Sequence, residues 1–301
     1  MANVRQILQR RNAAANISKV TGTMETISAV RYRQYYNQWA EGLAFYDTLA
    51  QLAYLMVTAK KRIEHPLMVE SRPKTGVNAL MVIGSDRGLC GAYNTEIFRQ
   101  VDTHVKMAKR FGRELKIYAK GRKVLGYLEH LKIEPVHIYE DFQEVPSTEQ
   151  TNAMGDFFID EYIGNRIDRL GIVYNRFFSP ASQKAQTLTV LPIEDLIDDL
   201  TTRATVIWPW ELDFEDFELA PSPDKIFETL ARMIIRTSIL RCFLNAAASE
   251  HLARVVSMRN ASDNADEMIQ DLNQDYNRAR QGQITVELLD IVSGVEAMKN
   301  K

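Results

Sequence analysis

Glycine and proline are distributed very unevenly along this chain. The last proline is Pro223, and beyond it only Gly282 and Gly294 occur before the end of the sequence. Because these two residue types interrupt helices most strongly, their scarcity predicts one long helix over residues 223–301. At roughly 1.5 Å per residue that helix would be about 110 Å long, against a radius of gyration of about 20 Å for a compact chain of this size. We therefore expect it to project from the body of the protein.

The N-terminal segment has the same character. No proline precedes Pro66, and only Gly22 and Gly42 interrupt the helix-forming residues before it. This predicts a second long helix over residues 1–65. Since the two helices lie at opposite ends of one chain, the simplest arrangement is an antiparallel coiled coil between them.

Apolar residues in both segments recur at helical spacing, which indicates the faces expected to pack together. On the N-terminal helix they are Ile17, Val20, Met24 and Ile27. On the C-terminal helix they are Ile269, Leu272, Tyr276 and Ala279, followed by Ile284, Leu288, Ile291 and Val295. We predict that these residues form the seam of the coiled coil.

Between the two helices, short apolar segments alternate with helical ones, which is typical of an α/β domain. The strand candidates are 79–84, 115–119 and 170–174, and the helix candidates are 94–111 and 148–163. An acidic stretch that includes Trp208 then leads back to the long helix. The predicted fold is thus α/β, with a long antiparallel coiled coil of N- and C-terminal helices and an inserted Rossmann-like α/β domain. The predicted segments are an N-terminal coiled-coil helix at 1–65, the α/β domain and connection at 66–222, and a C-terminal coiled-coil helix at 223–301.

Charge and composition argue against several classes of function. The formal net charge is -2, so no overall basic field attracts nucleic acid or an anionic membrane surface. No uncharged apolar run approaches the roughly 20 residues needed to cross a bilayer, and the first residues lack the pattern of a signal peptide. The two cysteines and five histidines show no spacing typical of a metal site. We expect a protein of a reducing compartment that holds no metal and meets the membrane only through partners.

The run Ser85–Gly91 follows a predicted strand and precedes a predicted helix, the position at which nucleotide-binding folds hold a phosphate. Its glycine spacing from Gly84 is neither the dinucleotide fingerprint nor a Walker loop. We therefore favour a tight structural turn and predict no bound cofactor and no catalytic residue. Cys90 beside Arg87 is compatible with an activated thiol or with a buried turn cysteine, and we favour the latter.

Three runs resemble the gamma subunits of F-type ATP synthases. Residues 85–94 read SDRGLCGAYN, residues 248–265 read ASEHLARVVSMRNASDNA, and residues 276–294 read YNRARQGQITVELLDIVSG. The N-terminal helix matches that family more loosely. The chain departs from the family pattern at Val286, where glutamine is usual, and at Gln283, where a small residue is usual.

The resemblance implies the central rotor shaft of a membrane-associated rotary ATP synthase, which couples ion flow to ATP synthesis or hydrolysis. The coiled coil would stand inside a ring of alpha and beta subunits, and the α/β domain would sit at its foot with the epsilon subunit on the membrane c-ring. The chain itself would be a non-catalytic subunit at the cytoplasmic face of a bacterial inner membrane, with the mitochondrial matrix side as the other location. Residues carried over as contacts between rotor and stator are Met24, Glu250, Arg254, Arg280, Gln281, Thr285 and Glu287, each of which is also compatible with an ordinary position on a long helix.

Three alternatives remain at this point. The departures at Gln283 and Val286 are compatible with a divergent gamma subunit of a sodium- or proton-pumping ATPase of the same type. A non-rotary coiled-coil scaffold would share the long helices without needing the α/β insert. An α/β nucleotide enzyme would share the insert but needs a phosphate loop and a cluster of catalytic polar residues.

Overall fold

The computed structural model describes residues 4–58, 65–68, 74–179, 182–203, 220 and 222–299. The predicted acidic connection around Trp208 lies outside these residues. The chain divides into two compact units, one formed by residues 1–29 with 254–301 and the other by residues 30–253. This division does not test the three predicted segments 1–65, 66–222 and 223–301, which remain predictions. None of the helices in the described ranges is long and apolar enough to cross a membrane.

Helices at both ends account for much of the chain. At the N-terminus lie α1 (Val4–Glu41) and α2 (Leu43–Thr58), and at the C-terminus lies α7 (Pro223–Lys299). The single long C-terminal helix is confirmed. A long N-terminal helix is confirmed as α1, and α2 follows it after a break at Gly42, where the flexible glycine backbone makes a helix interior less stable. Residues 59–64 of the predicted range lie outside the described residues.

Between these helices in the sequence, the chain forms a five-stranded sheet with the order β3-β2-β1-β4-β5. Its elements are β1 (Val77–Ile83), α3 (Tyr93–Arg110), β2 (Glu114–Lys120), α4 (Arg122–His130), β3 (His137–Ile138), α5 (Thr148–Ile163), β4 (Arg169–Ser179), β5 (Ser182–Leu191) and α6 (Ile193–Arg203). The pairs β1–β2, β1–β4 and β2–β3 are parallel, and β5 runs antiparallel to β4. The three predicted strands and two predicted helices are confirmed, whereas β3, α4, β5 and α6 had not been predicted. We call β1–β5 with α3–α6 the α/β core.

Alternate residues of the strands bury their side chains on opposite faces of the sheet, as strand geometry requires. In β1, Met81 and Ile83 join a large cluster with α2, α5, α6 and the first half of α7. Leu80 and Val82 join a second cluster with α3 and α4. Residues 227–246 of α7 therefore cover one face of the sheet.

We call the unit of residues 1–29 and 254–301 the two-helix unit. In this unit, buried residues of α1 recur every seven positions. Ile7, Ala14, Thr21 and Ser28 are all less than 9% exposed. On α7, the buried apolar positions of the same unit are Met258, Ala265 and Leu272, again seven residues apart. We call these seven residues the seam.

Polar contacts alongside the seam confirm that the helices are antiparallel. Arg11 donates to Asn273 (3.3 Å), Ser18 donates to Asp266 (2.8 Å), and Arg259 donates to Glu25 (2.9 Å). As the residue number rises along α1, that of its partner falls along α7.

The predicted seam of α1 is wrong. Ile17, Val20, Met24 and Ile27 are between 38% and 58% exposed. Helical spacing identifies a face of a helix but not which face meets the partner, and here small and hydroxyl side chains permit the close approach. The buried hydroxyl of Thr21 is satisfied within its own helix by the carbonyl of Ile17 at 2.9 Å. We call Ile17, Val20, Met24 and Ile27 the outward stripe.

The predicted seam of α7 is correct only in part. Leu272 is buried, and Ile269, Tyr276 and Ala279 are half-buried. The later members of the series are at least 43% exposed: Ile284, Leu288, Ile291 and Val295. Arg11 lies beside Tyr276, so the described part of α1 before it, from Val4 on, can cover few of the residues after Tyr276.

Two alanine substitutions, one in the seam and one on the outward stripe, test which residues are buried between the helices. Leu272→Ala should lower the free energy of unfolding by about 2 kcal/mol or more, because it removes a buried leucine. Ile17→Ala, on the outward stripe, should change it by less than about 0.5 kcal/mol. Urea denaturation of the full chain measures both, and a larger loss for Ile17→Ala than for Leu272→Ala would contradict the observed seam.

Candidate functional site

The turn after β1 is held by its own side chains. Ser85 is fully buried and donates a hydrogen bond to the carbonyl of Arg87 at 2.7 Å. The side-chain nitrogen of Asn94 donates to the hydroxyl of Ser85 at 2.7 Å and lies 3.3 Å from the sulfur of Cys90. Cys90 is only 2% exposed, which confirms the prediction of a buried turn cysteine.

Helix α7 lies against the edge of the sheet where an open α/β fold would bind a ligand, namely the carboxyl ends of β1 and β4. Asn175, at that end of β4, donates to the carbonyl of Tyr93 at 2.9 Å, and the hydroxyl of Tyr93 donates to the carbonyl of Ala246 at 3.2 Å. The amide nitrogen of Phe177 donates to the side chain of Asn245 at 3.3 Å. Protein side chains and the α7 backbone therefore take up several of the polar groups at this edge, which favours the interpretation of the turn as structural.

A second polar arrangement joins three separate parts of the chain. The hydroxyl of Tyr35 on α1 donates to Oε2 of Glu144 at 2.6 Å. Nε2 of His251 on α7 lies 3.0 Å from the same oxygen, and the Tyr35 and His251 rings stack with centroids 5.7 Å apart. Glu144 itself lies in the loop between β3 and α5. We call Tyr35, Glu144 and His251 the carboxylate junction.

The junction favours the charged form of Glu144. Burial alone would raise the pKa of this carboxyl, but the hydrogen bonds from His251 and Tyr35 and the charges of His251 and Arg31 outweigh it and lower the pKa to about 2. For Tyr35, burial and the bond to Glu144 raise the pKa of the phenol. Both shifts keep the tyrosine protonated as donor and the carboxylate ionised as acceptor.

This arrangement makes a prediction about pH. Because the folded-state pKa of Glu144 lies below its ordinary value of 4.5, the junction stabilises the fold above that value and the contribution disappears as the pH falls toward about 2. The difference in unfolding free energy between the natural chain and Glu144→Gln should therefore shrink between about pH 5 and about pH 3. Urea titrations across that window measure it, and a difference that grows on acidification would contradict the assignment.

The seven candidate contact residues lie in different environments. Met24 is 38% exposed on the outward stripe, whereas Glu250 and Arg254 are each only 9% exposed. The remaining four residues lie at exposed positions on α7: Arg280, Gln281, Thr285 and Glu287. The structure does not bring the seven together into one cluster.

The C-terminal part of α7 shows a surface that the sequence pattern had assigned to the seam. Residues 280–295 are all exposed in this chain. Their apolar side chains point to several sides of the helix and include Ile284, Val286, Leu288, Leu289, Ile291 and Val292. So many exposed apolar residues on one helix indicate a surface that is covered by another protein.

Within the described ranges, no three His, Cys, Asp or Glu side chains come together in a way that suits a metal ion.

Comparison with known sequences gives matches over nearly the whole chain. A family model described as ATP synthase matches residues 3–298. An ATP synthase gamma chain of Rhodopirellula baltica is 32% identical over 299 residues, which cover 99% of this chain and 100% of that protein. An ATP synthase gamma chain of Leptospira biflexa is 30% identical with the same coverage of both chains.

Solved structures share the fold. A chain of the Euglena gracilis mitochondrial ATP synthase superposes with a TM-score of 0.62 at 19% identity, and the match covers 98% of this chain and 94% of that one. A chain from the central stalk and c-ring of the Tetrahymena thermophila mitochondrial ATP synthase gives a TM-score of 0.55 at 20% identity, covering 81% and 99%. At these identities the likeness supports the arrangement of terminal helices around an α/β core.

Proposed function

Because this chain belongs to the ATP synthase gamma-chain family, we propose that it is the central rotor shaft of a rotary ATP synthase. It couples ion flow through the membrane sector to synthesis or hydrolysis of ATP in a ring of alpha and beta subunits. One observation carries the proposal beyond family membership, namely the apolar surface of residues 280–295, which the chain itself leaves uncovered. A shaft whose end is enclosed by a ring accounts for that surface.

The mechanism needs no catalytic group on this chain. A shaft that presents different side chains around its circumference favours a different conformation in each subunit that it faces, by the difference in contact free energy. We propose that the chain is a non-catalytic subunit that binds no cofactor. The self-satisfied turn at Ser85 and the packing of Ala246 against the edge of the sheet support this.

The contacts with the ring are proposed at Met24, Glu250, Arg254, Arg280, Gln281, Thr285 and Glu287. Exposure supports Met24 and the four residues from Arg280 onward. Glu250 and Arg254 are largely buried within this chain, so they would reach the ring through few atoms. The α/β core is proposed to meet the epsilon subunit and the c-ring, which leaves the chain peripheral to the membrane, at the cytoplasmic face of a bacterial inner membrane.

Co-purification distinguishes the proposed rotor from the two rival functions, a nucleotide enzyme and a non-rotary scaffold. Co-expressed with alpha and beta subunits, the chain should form a stable complex that hydrolyses ATP, and the chain alone should hydrolyse none. Hydrolysis that persists after stringent removal of alpha and beta would favour an enzyme. A stable chain that never associates with them would favour the scaffold.

A further inference from the structure

The carboxylate junction is the polar connection between α1 and the α/β core. Among the hydrogen bonds of the described residues, the bond from Tyr35 to Glu144 is the one that joins residues 30–41 of α1 to that core. It is short, at 2.6 Å, and its acceptor is ionised. Charge-assisted hydrogen bonds of this kind are shorter and roughly twice as strong as neutral ones.

Aromatic contacts also join this stretch of α1 to the core. Tyr32, Tyr36 and Trp39 lie around the ring of Phe177 on β4, with centroid distances of 6.0, 5.3 and 6.0 Å. Such contacts hold the helix against the sheet, but hydrophobic burial is not directional, and the preferred geometry of a ring pair adds only a small further stabilisation. They therefore do not by themselves fix the axial position or the rotation of α1.

Helix α7 reaches the same carboxylate. His251 is 5% exposed and lies 3.0 Å from the oxygen that accepts from Tyr35, so one atom of the core is shared by both long helices. Tyr35 is also buried, at 9% exposed. Removing the carboxylate would leave both groups largely buried without this acceptor, which costs more than the loss of an exposed contact.

Charged residues on both α1 and α7 act on the carboxylate junction. Arg31 on α1 and His251 on α7 favour ionised Glu144, and Glu250 on α7 acts on Tyr35 in the same direction as Glu144 does. The carboxylate of Glu144 is thus the acceptor for which the helices supply the donors.

We propose that Glu144 is a positioning residue of the rotary mechanism, which fixes both α1 and α7 to the α/β core so that torque passes between the core and the two helices without slip. The inference rests on the proposed function. Without the junction, residues 30–41 of α1 keep no described hydrogen bond to the α/β core, and they shift against the core when the machine works against an ion gradient. Rotation without such a load is unaffected.

The test uses the complete complex, with alpha and beta subunits and the membrane sector, in sealed vesicles. Tyr35→Phe removes only the hydroxyl, and Glu144→Ala removes the acceptor. Tyr36→Phe is the matched control, because Tyr36 lies next to Tyr35 on α1 and its hydroxyl makes no hydrogen bond among the described residues. Three quantities are measured: unloaded ATP hydrolysis, ions transported per ATP against a gradient, and amide hydrogen exchange.

For Tyr35→Phe and Glu144→Ala we expect normal unloaded hydrolysis, a loss of transport per ATP, and exchange that is about tenfold faster in residues 30–41. Tyr36→Phe should match the natural chain in all three. Unchanged transport per ATP in both junction variants overturns the inference, and so does an equal loss in Tyr36→Phe. If the natural chain supports no ATP-driven transport at all, the proposed function itself fails, and the inference fails with it.

Discussion

Oxidation of a complex that carries Gln274→Cys opposite a cysteine on the facing alpha or beta subunit should abolish multi-turnover ATP hydrolysis. Gln274 is exposed on α7, within the two-helix unit and well before Gly294. A tether at this depth cannot be escaped by fraying of the last turns of the helix. If the chain must rotate, a covalent bond to the ring stops turnover, and reduction should restore it.

The cross-link carries its own controls. A disulfide needs the two Cα atoms within about 7 Å, so efficient formation also establishes that this part of α7 faces the ring. Nucleotide binding should survive, because we propose that the nucleotide sites belong to other subunits. Gln274→Cys without a partner cysteine should keep full activity after oxidation. Full turnover in a quantitatively cross-linked complex would mean that α7 need not rotate, and the scaffold would then be the better proposal.

The second large effect concerns the stability of the α/β core. Gly121, between β2 and α4, has φ +102°, and a Cβ added there would lie 2.6 Å from the carbonyl carbon of Gly84. Both the backbone angle and the close approach of two strand ends exclude a larger side chain. Gly121→Ala should therefore lower the free energy of unfolding by about 3 kcal/mol or more.

Gly126→Ala is the matched control for that change. Gly126 lies exposed inside α4, and a Cβ there would meet nothing within 4 Å. This substitution should raise stability by about 0.5–1 kcal/mol, because alanine favours the helix. Urea denaturation of the two variants should give changes of opposite sign. A loss at Gly126 equal to that at Gly121 would contradict the assigned geometry.

The parts of the fold that sequence predicted well are those set by local pattern. The scarcity of glycine and proline after Pro223 was sufficient to predict α7, and apolar runs located β1, β2 and β4. The two-residue strand β3 carries too few residues for any pattern to show. The seam of α1 was assigned to the wrong face because packing of Ala14, Thr21 and Ser28 depends on closeness to α7 rather than on hydrophobicity.

The candidate sites divide in the same way. The interpretation of the turn at Ser85 as structural rests on its glycine spacing, which is a local property, and the hydrogen bonds of Ser85 support it. Exposed residues such as Arg280 and Thr285 were carried over from the family resemblance and remain to be tested. The carboxylate junction was missed, because Tyr35, Glu144 and His251 lie about a hundred residues apart and no spacing connects them. A charged residue in a loop gives no sign in the sequence of the two donors it meets.

The seven-residue spacing of the seam sets a direction of winding. An ideal α-helix drifts by about 20° per heptad against such a repeat, so a buried stripe at Ile7, Ala14, Thr21 and Ser28 requires the two helices to coil around each other in a left-handed sense. Torque that adds left-handed turns presses the helices together, and torque of the opposite sense draws them apart. A shaft built in this way is chiral in its mechanics, stiffer when it is driven in one direction than in the other.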